Sequence, residues 1–191
     1  MKLLFIGGTG LISSACSELA VSRGNELFIL NRSISNKHPV PKGAILLIGD
    51  VKVDDDHLSK LLASQRFDAV VDFISYKVED IERDLALFRG KTDQFVFISS
   101  ASAYQKPPEN YRITEETPLV NPFWQYSRDK IACEERLNKA YREVGFPITV
   151  IRPSLTYGPS QIPFCVGSWQ HPWTVIDRMK NGKLPGGEVL D

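Results

Sequence analysis

The sequence predicts an α/β fold in which helices cover both faces of a doubly wound, mostly parallel sheet. Three observations predict it: short apolar runs alternate with helical patterns, a glycine-rich turn follows the first run, and polar residues gather where the runs end. Strands that alternate with helices need crossover connections, which are almost always right-handed and give parallel pairing. Ligands of such sheets bind at the carboxyl ends of the strands, so function is expected there.

Six apolar runs are predicted to form the strands. The first, residues 3–6, is continuously apolar, as expected of a strand that is buried on both faces. A polar loop with Pro39 and Pro41 separates the second strand from the third. In chain order the predicted strands are 3–6, 26–30, 44–48, 69–74, 94–99 and 147–152.

Five helices are predicted between and after these strands. Leu11, Ala15 and Leu19 share a face of the first helix, and Gly24 follows its last turn. An acidic turn at 54–56 precedes the second helix, where negative charge suits a helix N-terminus. The predicted helices are 11–23, one that begins within 58–63, 78–88, 123–144 and 173–179.

The composition is that of a soluble globular protein. The chain has 191 residues, of which 42% are hydrophobic and 24% charged, and its formal net charge is zero. Zero net charge argues against a cationic surface built for nucleic acid. No apolar stretch approaches the roughly 20 residues that span a bilayer, so no membrane association is predicted.

Cysteine usage indicates the cytoplasm. The three cysteines, Cys16, Cys133 and Cys165, have no close partner at zinc or redox spacing, so no metal site is predicted. Cys16 and Cys133 fall within helical patterns and are interpreted as small core hydrophobes.

A secretory leader is the alternative interpretation of the N-terminus. Lys2 precedes an apolar run, and Ser14-Ala15-Cys16 resembles a lipoprotein cleavage site. The apolar core of a leader should be continuous, whereas Gly7-Gly8-Thr9-Gly10 interrupts this run. The pattern therefore argues against secretion.

A glycine-rich turn, Gly7-Gly8-Thr9-Gly10-Leu11-Ile12-Ser13, joins the first strand to the first helix. Such spacing lets a pyrophosphate approach the helix N-terminus, where free N–H groups and the helix dipole favour anions. Gly7 and Gly10 fit a Gly-x-x-Gly-x-x-Gly variant, in which Ser13 replaces the third glycine and is expected to loosen the loop. The predicted dinucleotide contacts are Gly7, Thr9, Gly10, Leu11 and Ile12.

Four further positions bear on the kind of dinucleotide. Asn31 and Arg32 follow the loop by about 20 residues, where an acidic residue would bind the ribose 2′-OH of NAD. An arginine pairs with a 2′-phosphate, so Arg32 favours NADP over NAD, the alternative being an exposed loop cation. Asp50 and Val51 are assigned to the adenine, as acceptor and packing surface; the alternative is a turn aspartate before an acidic helix.

Tyr126 and Lys130 are four residues apart in a helical pattern, so they share a face. A nearby ammonium favours the tyrosinate, so Lys130 is expected to lower the pKa of Tyr126 from its ordinary value of about 10. That would make Tyr126 a general acid or base near neutral pH. The hydroxyls of Ser99, Ser100 and Ser102 gather where the fifth strand ends, where one could polarise a substrate oxygen and share a proton with Tyr126.

These motifs are specific as an ordered set. The glycine turn is followed by Gly49-Asp50, by Ser99-Ser100-Ala101-Ser102-Ala103-Tyr104, by Tyr126-x-x-x-Lys130, and by Arg152-Pro153 with Tyr157-Gly158-Pro159. Together they resemble the extended short-chain dehydrogenase/reductases, the NAD-dependent epimerase/dehydratase family, over essentially the whole chain. Residues 68–76 and 126–137 are more similar to a branch linked to sugar epimerases, isoflavone-reductase-like proteins and chloroplast RNA-binding proteins.

The resemblance implies a Rossmann fold and assigns a role to the polar residues. Tyr126 would be the acid/base, Lys130 would tune it and hold the nicotinamide ribose, and Ser100 would be the hydroxyl partner. The residues implied to line the cofactor after the fourth strand are Phe73, Ile74 and Ser75. Asp72 stands where many members of the family have a different residue.

The resemblance also implies a domain division and an activity. Residues 1–160 would form the NAD(P)-binding domain, and 161–191 would begin a smaller substrate lobe whose remainder is missing from this chain. The implied activity is that of an NAD(P)-dependent epimerase, dehydratase or reductase on a nucleotide-sugar-like substrate. The alternative is a non-enzymatic NADP-sensing or RNA-associated protein. Family members often dimerise through helices equivalent to 78–88 and 123–144, so a homodimer is among the expectations.

Overall fold

A computed structural model describes residues 1–32, 38–53, 55–158 and 174–182 of the chain. Within these residues six strands form one parallel sheet: β1 (Lys2–Ile6), β2 (Glu26–Asn31), β3 (Ile45–Ile48), β4 (Ala69–Asp72), β5 (Phe95–Ile98) and β6 (Ile148–Ile151). Their order across the sheet is β3-β2-β1-β4-β5-β6. The predicted doubly wound α/β fold is confirmed.

Helices connect the strands. In the same residues they are α1 (Leu11–Ser22), α2 (Asp55–Leu62), α3 (Val78–Phe88), α4 (Gln125–Val144) and α5 (Thr174–Lys180), with a short 3-10 turn at Ala101–Ala103. Gly145 ends α4 with a φ of 65°, a left-handed cap of the kind glycine supplies. The predicted helix 173–179 thus corresponds to α5, except that residue 173 lies outside the described residues.

Most element boundaries lie within one or two residues of their predicted positions, and two of the differences have a local reason. Helix α2 begins at Asp55 rather than within 58–63, because part of the acidic turn enters the first helical turn. Strand β4 ends at Asp72 rather than at residue 74, because the Asp72 side chain accepts the backbone N–H of Ile74 and turns the chain.

The strand order places the candidate site. Strands β1 and β4 are neighbours at the centre, and the chain builds outward from them in opposite directions, which creates the crevice where such sheets bind ligands. The register aligns Ile6 with both Leu30 and Asp72, and Ile98 with Ile151. The carboxyl ends of the strands therefore meet along one edge.

Alternation along the strands separates two apolar clusters. Leu4 and Ile6 of β1 belong to the larger cluster, whereas Phe5 belongs to the smaller one, as the two-residue period of a strand requires. Cys133 is buried in the larger cluster, which confirms its interpretation as a core residue. Cys16 is half-buried and packs against the smaller cluster.

The chain divides into two compact units, Met1–Ser154 and Leu155–Asp191. Of the second unit, the structure describes residues 155–158 and 174–182. The domain boundary expected at residue 160, Cys165 and the segment 185–191 lie outside the described residues. Among the described helices, none combines the length and apolar character that crossing a membrane requires.

Candidate functional site

The glycine turn between β1 and α1 depends on Gly7. Gly7 has a φ of 85°, in the left-handed region that other residues rarely occupy. A Cβ at this position would lie 2.3 Å from Cγ2 of Ile74, and the Gly7 N–H donates to the Leu30 carbonyl at 2.9 Å. Gly7 therefore sets the path of the loop where β1, β2 and the segment after β4 meet.

Ser13 fastens this loop. Its hydroxyl accepts from the Gly10 N–H at 2.7 Å and donates to the Gly7 carbonyl at 2.7 Å. The Ser17 hydroxyl donates to the Gly8 carbonyl at 2.9 Å. The expectation of a looser loop is wrong, because a hydroxyl is both donor and acceptor and here joins two backbone groups that a third glycine would leave unlinked.

The first turn of α1 fits the pyrophosphate of a dinucleotide. Within 4 Å, a Cβ at Gly10 would meet the Ser13 hydroxyl alone, at 3.3 Å, so a ligand can approach the backbone closely. Leu11 and Ile12 begin α1, and the N–H groups of a first turn have no acceptor within their own helix. These groups and the helix dipole favour an anion.

Four of the predicted cofactor residues lie together where β2 and β3 end beside the glycine turn. Asn31 Nδ2 donates to Thr9 Oγ1 at 3.4 Å, and Arg32 Nη1 lies 3.7 Å from Asp50 Oδ2. The Arg32 side chain is 61% exposed and that of Asp50 is 28% exposed. The ion pair is therefore open to solvent, and a ligand phosphate would compete with Asp50 for Arg32.

Asp72 controls the turn after β4, beside β1. It is fully buried, and its Oδ1 accepts from the N–H groups of Ile74 at 2.7 Å and Ser75 at 3.0 Å. The intervening Phe73 donates its N–H to the Ile6 carbonyl at 3.1 Å. The predicted cofactor-lining residues thus form one capped turn at the centre of the sheet edge.

Lys130 is buried where this turn meets α4. Its side chain is almost fully enclosed, and Nζ donates to the Ser75 carbonyl at 2.6 Å and to the Ile98 carbonyl at 2.8 Å. The rings of Tyr76 and Phe97 lie with their centroids 4.5 and 4.6 Å from Nζ, at cation–π distance. An ammonium has three hydrogens, so these two carbonyls leave one for another acceptor.

Burial changes the protonation of Lys130. Desolvation lowers the pKa of Lys130 to about 8, and the negative charge of Asp72 opposes that decrease. Lys130 therefore stays mostly protonated at neutral pH, with Asp72 as its nearby counter-ion.

Arg83 and Asp84 of α3 extend this buried charge cluster. Asp84 is fully buried, accepting from the Ser75 hydroxyl at 3.1 Å and from Arg83 Nη2 at 2.9 Å. Burial and the nearby Asp72 raise the pKa of Asp84 well above its ordinary value in spite of Arg83. Arg83 also donates to the carbonyl of Val51, whose side chain is buried in the core.

Arg83 and Asp84 were not among the residues predicted from the sequence, although α3 carries a signal for them. Ile81, Leu85 and Phe88 are buried, and Asp84 is spaced to share their face. A charged residue within an apolar stripe is buried when it is paired. Ser75, which bonds to Asp84, lies outside α3 in the turn after β4. The pairing therefore could not be predicted from the spacing of residues within the helix.

Tyr126 lies in an aromatic group at the start of α4. Its ring centroid is 5.9 Å from Lys130 Nζ, 5.9 Å from the Tyr76 ring and 4.8 Å from the Trp124 ring. Burial and Tyr76 raise the pKa of Tyr126 above its ordinary value, whereas a hydrogen bond from Ser100 lowers it. The expected lowering by Lys130 is wrong for this structure, because burial dominates and the ammonium is directed at two carbonyls.

A second buried ion pair ties α4 to the end of β6. Glu134 Oε2 lies 2.6 Å from Arg152 Nη2, and the Glu134 side chain is 1% exposed. Ser99 donates to Glu134, and Arg152 Nη1 donates to the Tyr104 hydroxyl at 3.1 Å. Ser99, Tyr104 and Arg152 therefore brace the strand ends, and Ser100 is the serine placed beside Tyr126.

Comparison with known proteins identifies the family. The sequence model of the NAD dependent epimerase/dehydratase family matches residues 3–189, so the chain belongs to this family. The resemblance noted in the sequence is thereby confirmed.

Individual relatives are more distant and longer. The chain is 29% identical over 169 residues to a UDP-glucose 4-epimerase of Lactobacillus helveticus, covering 80% of this chain and 51% of the relative. It is 27% identical over 172 residues to the chloroplast stem-loop binding protein of 41 kDa b of Arabidopsis thaliana, a match that covers 83% of this chain and 43% of that protein. The structure of a Thermus thermophilus UDP-glucose 4-epimerase complexed with NAD matches at 26% identity and a TM-score of 0.73. This match covers 86% of the present chain and 58% of the Thermus chain. The chain spans about half the length of the curated relatives it matches.

We predict that Lys130 titrates near pH 8, measured by heteronuclear NMR of its side chain and assigned by loss of the signal in Lys130→Met. Asp72→Asn should lower the midpoint further, because it removes the negative charge that holds the proton. Between about pH 8 and 10.5 the unfolded chain binds more protons at this lysine than the native chain, so its contribution to the free energy of unfolding rises with pH.

The control for that titration is Asp93→Asn, which removes an exposed carboxylate before the amino end of β5 and should leave the midpoint unchanged. A wild-type midpoint at the ordinary value of 10.5 would show that Lys130 is not desolvated as described.

Proposed function

We propose that this chain is the cofactor-binding and catalytic part of an NAD(P)-dependent enzyme acting on a nucleotide-sugar-like substrate. The reaction would be reversible hydride transfer, in an epimerase, dehydratase or reductase. The observation that carries the proposal is the convergence of Ser100, Tyr126 and Lys130 beside a turn that fits a pyrophosphate. The Lactobacillus and Thermus UDP-glucose 4-epimerases among the relatives support the substrate class.

Each residue of the site has a defined task in this proposal. The nicotinamide, when bound, would supply the carbon that accepts and returns the hydride. Lys130 would hold its ribose with the ammonium hydrogen that Ser75 and Ile98 do not take. Ser100 would donate to the substrate oxygen, and Tyr126 would exchange a proton with the same oxygen.

The raised pKa of Tyr126 gives the two directions of reaction different pH dependence. The phenol is protonated at neutral pH, which suits donation of a proton to a substrate carbonyl. In the alcohol-oxidising direction Tyr126 must first lose that proton, so this direction is favoured by rising pH.

The proposed cofactor is NADP or NAD, with NADP favoured. Arg32 is exposed at the end of β2 and its only described ion pair is the open one with Asp50, so it can turn to a 2′-phosphate. NAD is the alternative, because Asp50 lies at the same edge and because the solved Thermus relative is a complex with NAD.

A second candidate function is an RNA-associated binding protein. The match to a chloroplast stem-loop binding protein favours it, and the zero net charge of the chain opposes it. A homodimer through α3 and α4 and a cytoplasmic location stay predictions, from the family resemblance and from cysteine usage respectively.

We predict that Arg32→Ala weakens NADP binding much more than NAD binding. A lost hydrogen bond to a charged group costs about 1.5–3 kcal/mol, or roughly 10- to 150-fold in the dissociation constant measured by calorimetry. Arg66→Ala is the matched control, since Arg66 is 60% exposed and paired with Asp93 away from the site. Equal losses for both cofactors in Arg32→Ala would show that Arg32 does not contact the 2′-phosphate.

We predict that Tyr126→Phe lowers turnover of the nucleotide-sugar substrate by roughly 10²–10⁴-fold, the usual share of general acid–base catalysis. Cofactor affinity should barely change, because the ring stays in place. Lys130→Met should reduce both turnover and cofactor affinity, because Lys130 is proposed to hold the ribose as well.

The control is Tyr111→Phe, at a tyrosine that is 99% exposed, and it should leave turnover unchanged. Near-normal turnover in Tyr126→Phe would contradict the mechanism and favour the binding-protein alternative, which a salt-dependent RNA gel shift would then examine.

A further inference from the structure

A row of hydrogen-bonded polar side chains leads from the loop before α4 to Ser100. Asn121 Nδ2 donates to Ser127 Oγ at 3.3 Å, and Ser127 Oγ donates to Ser102 Oγ at 2.8 Å. Ser102 Oγ lies 2.9 Å from Ser100 Oγ. Ser127 is fully buried and Asn121 nearly so, which shields the inner end of the row from water.

The inner end of this row has a fixed polarity. Asn121 Oδ1 accepts from the Phe123 N–H at 3.1 Å, and Asn121 Nδ2 donates to the Ser102 carbonyl at 2.7 Å. A backbone N–H can act here as a donor alone, and a carbonyl as an acceptor alone. The amide orientation of Asn121 is therefore determined by its partners, and it presents a donor to Ser127.

Each hydroxyl has a single hydrogen to donate, so the direction of the first hydrogen bond influences the direction of the next ones. Ser127 accepts from Asn121 and gives its hydrogen to Ser102. The geometry allows either hydroxyl of the Ser102–Ser100 pair to donate; because Ser102 already accepts from Ser127, its own hydrogen is free to be given to Ser100. Ser100 Oγ also accepts from the Ser102 backbone N–H at 3.2 Å, so both of its acceptor positions are filled from the inner side.

We infer that Ser102, Ser127 and Asn121 are positioning residues that orient the Ser100 hydroxyl as an outward donor, to Tyr126 in the free site and to the reacting oxygen once substrate is bound. With its acceptor positions filled, Ser100 has its hydrogen left to give outward. The inference rests on the proposed function for its catalytic meaning: a fixed donor stabilises negative charge that develops on a substrate oxygen.

The protonation of Tyr126 reports the orientation of Ser100 independently of turnover. Tyr126 faces Lys130 on its own helix and Tyr76 from the segment after β4, which carries a charge only when ionised. A hydrogen bond from Ser100 lowers the pKa of Tyr126. Loss of that donor should therefore raise it while Tyr76 and Lys130 stay in place.

The experiment replaces Tyr126 with a difluorotyrosine, whose lower phenol pKa brings the titration into the range where the protein is stable. Fluorine NMR then follows this phenol alone. Ser127→Ala removes the donor that orients the Ser102 hydroxyl, so Ser102 is no longer directed to donate to Ser100 and the Ser100 hydrogen can turn inward to it. The pKa of the phenol should rise by about 1 to 2 units, the size expected for one hydrogen bond to a charged group.

Further variants distinguish a changed orientation of the Ser100 hydroxyl from a general disturbance of the site. Ser102→Ala should raise the pKa in the same way, and Ser100→Ala should raise it at least as much. Ser127→Thr keeps a hydroxyl at this position and should therefore leave the pKa of the phenol at its wild-type value. Ser99→Ala removes a neighbouring buried hydroxyl that is bonded to Glu134 instead, and should leave the pKa unchanged.

An unchanged pKa in both Ser127→Ala and Ser102→Ala, with a raised pKa in Ser100→Ala, would overturn the inference. So would an unchanged pKa in Ser100→Ala. If no nucleotide sugar is turned over, the proposed function fails while the titration still decides how Ser100 is oriented, so the two failures are distinguishable.

Discussion

The site depends on how an ammonium group is held in the protein interior. Lys130 is 2% exposed, and a buried charge without partners would cost several kcal/mol. The carbonyls of Ser75 and Ile98 accept its hydrogens and Asp72 supplies a nearby negative charge. Those carbonyls follow β4 and end β5, so one lysine fixes α4 against both strands and thereby sets the position of Tyr126.

The same turn couples the proposed catalytic residues to the glycine loop. Asp72 holds the N–H groups of Ile74 and Ser75, and the Ser75 carbonyl faces Lys130. Ile74 occupies the space that a side chain on Gly7 would need. A change in this turn is therefore expected to disturb the glycine loop and the lysine together, as the proposed binding of one extended cofactor by both would require.

What the sequence could predict depended on local pattern. Alternating apolar runs and the turn at Gly7 gave the fold and the sheet edge, because period and glycine spacing are local properties. The buried Asp84, the bracing role of Ser13 and the raised pKa of Tyr126 were missed or predicted wrongly. Each of these three features depends on solvation or on a hydrogen-bond partner from another segment. The spacing of residues along the chain predicts neither of these.

The central claim, that this sheet edge binds a nicotinamide dinucleotide, is tested most directly by thermal melting with NAD, NADH, NADP and NADPH. At a dinucleotide concentration about a hundred times the dissociation constant, the melting temperature should rise by about 5 to 10 °C with at least one of the four forms. Gly10→Asp is the control: aspartate suits the helix N-cap but places a negative charge where the pyrophosphate would lie, so the rise should disappear. No rise for the wild-type chain with any of the four forms at millimolar concentration would contradict the account.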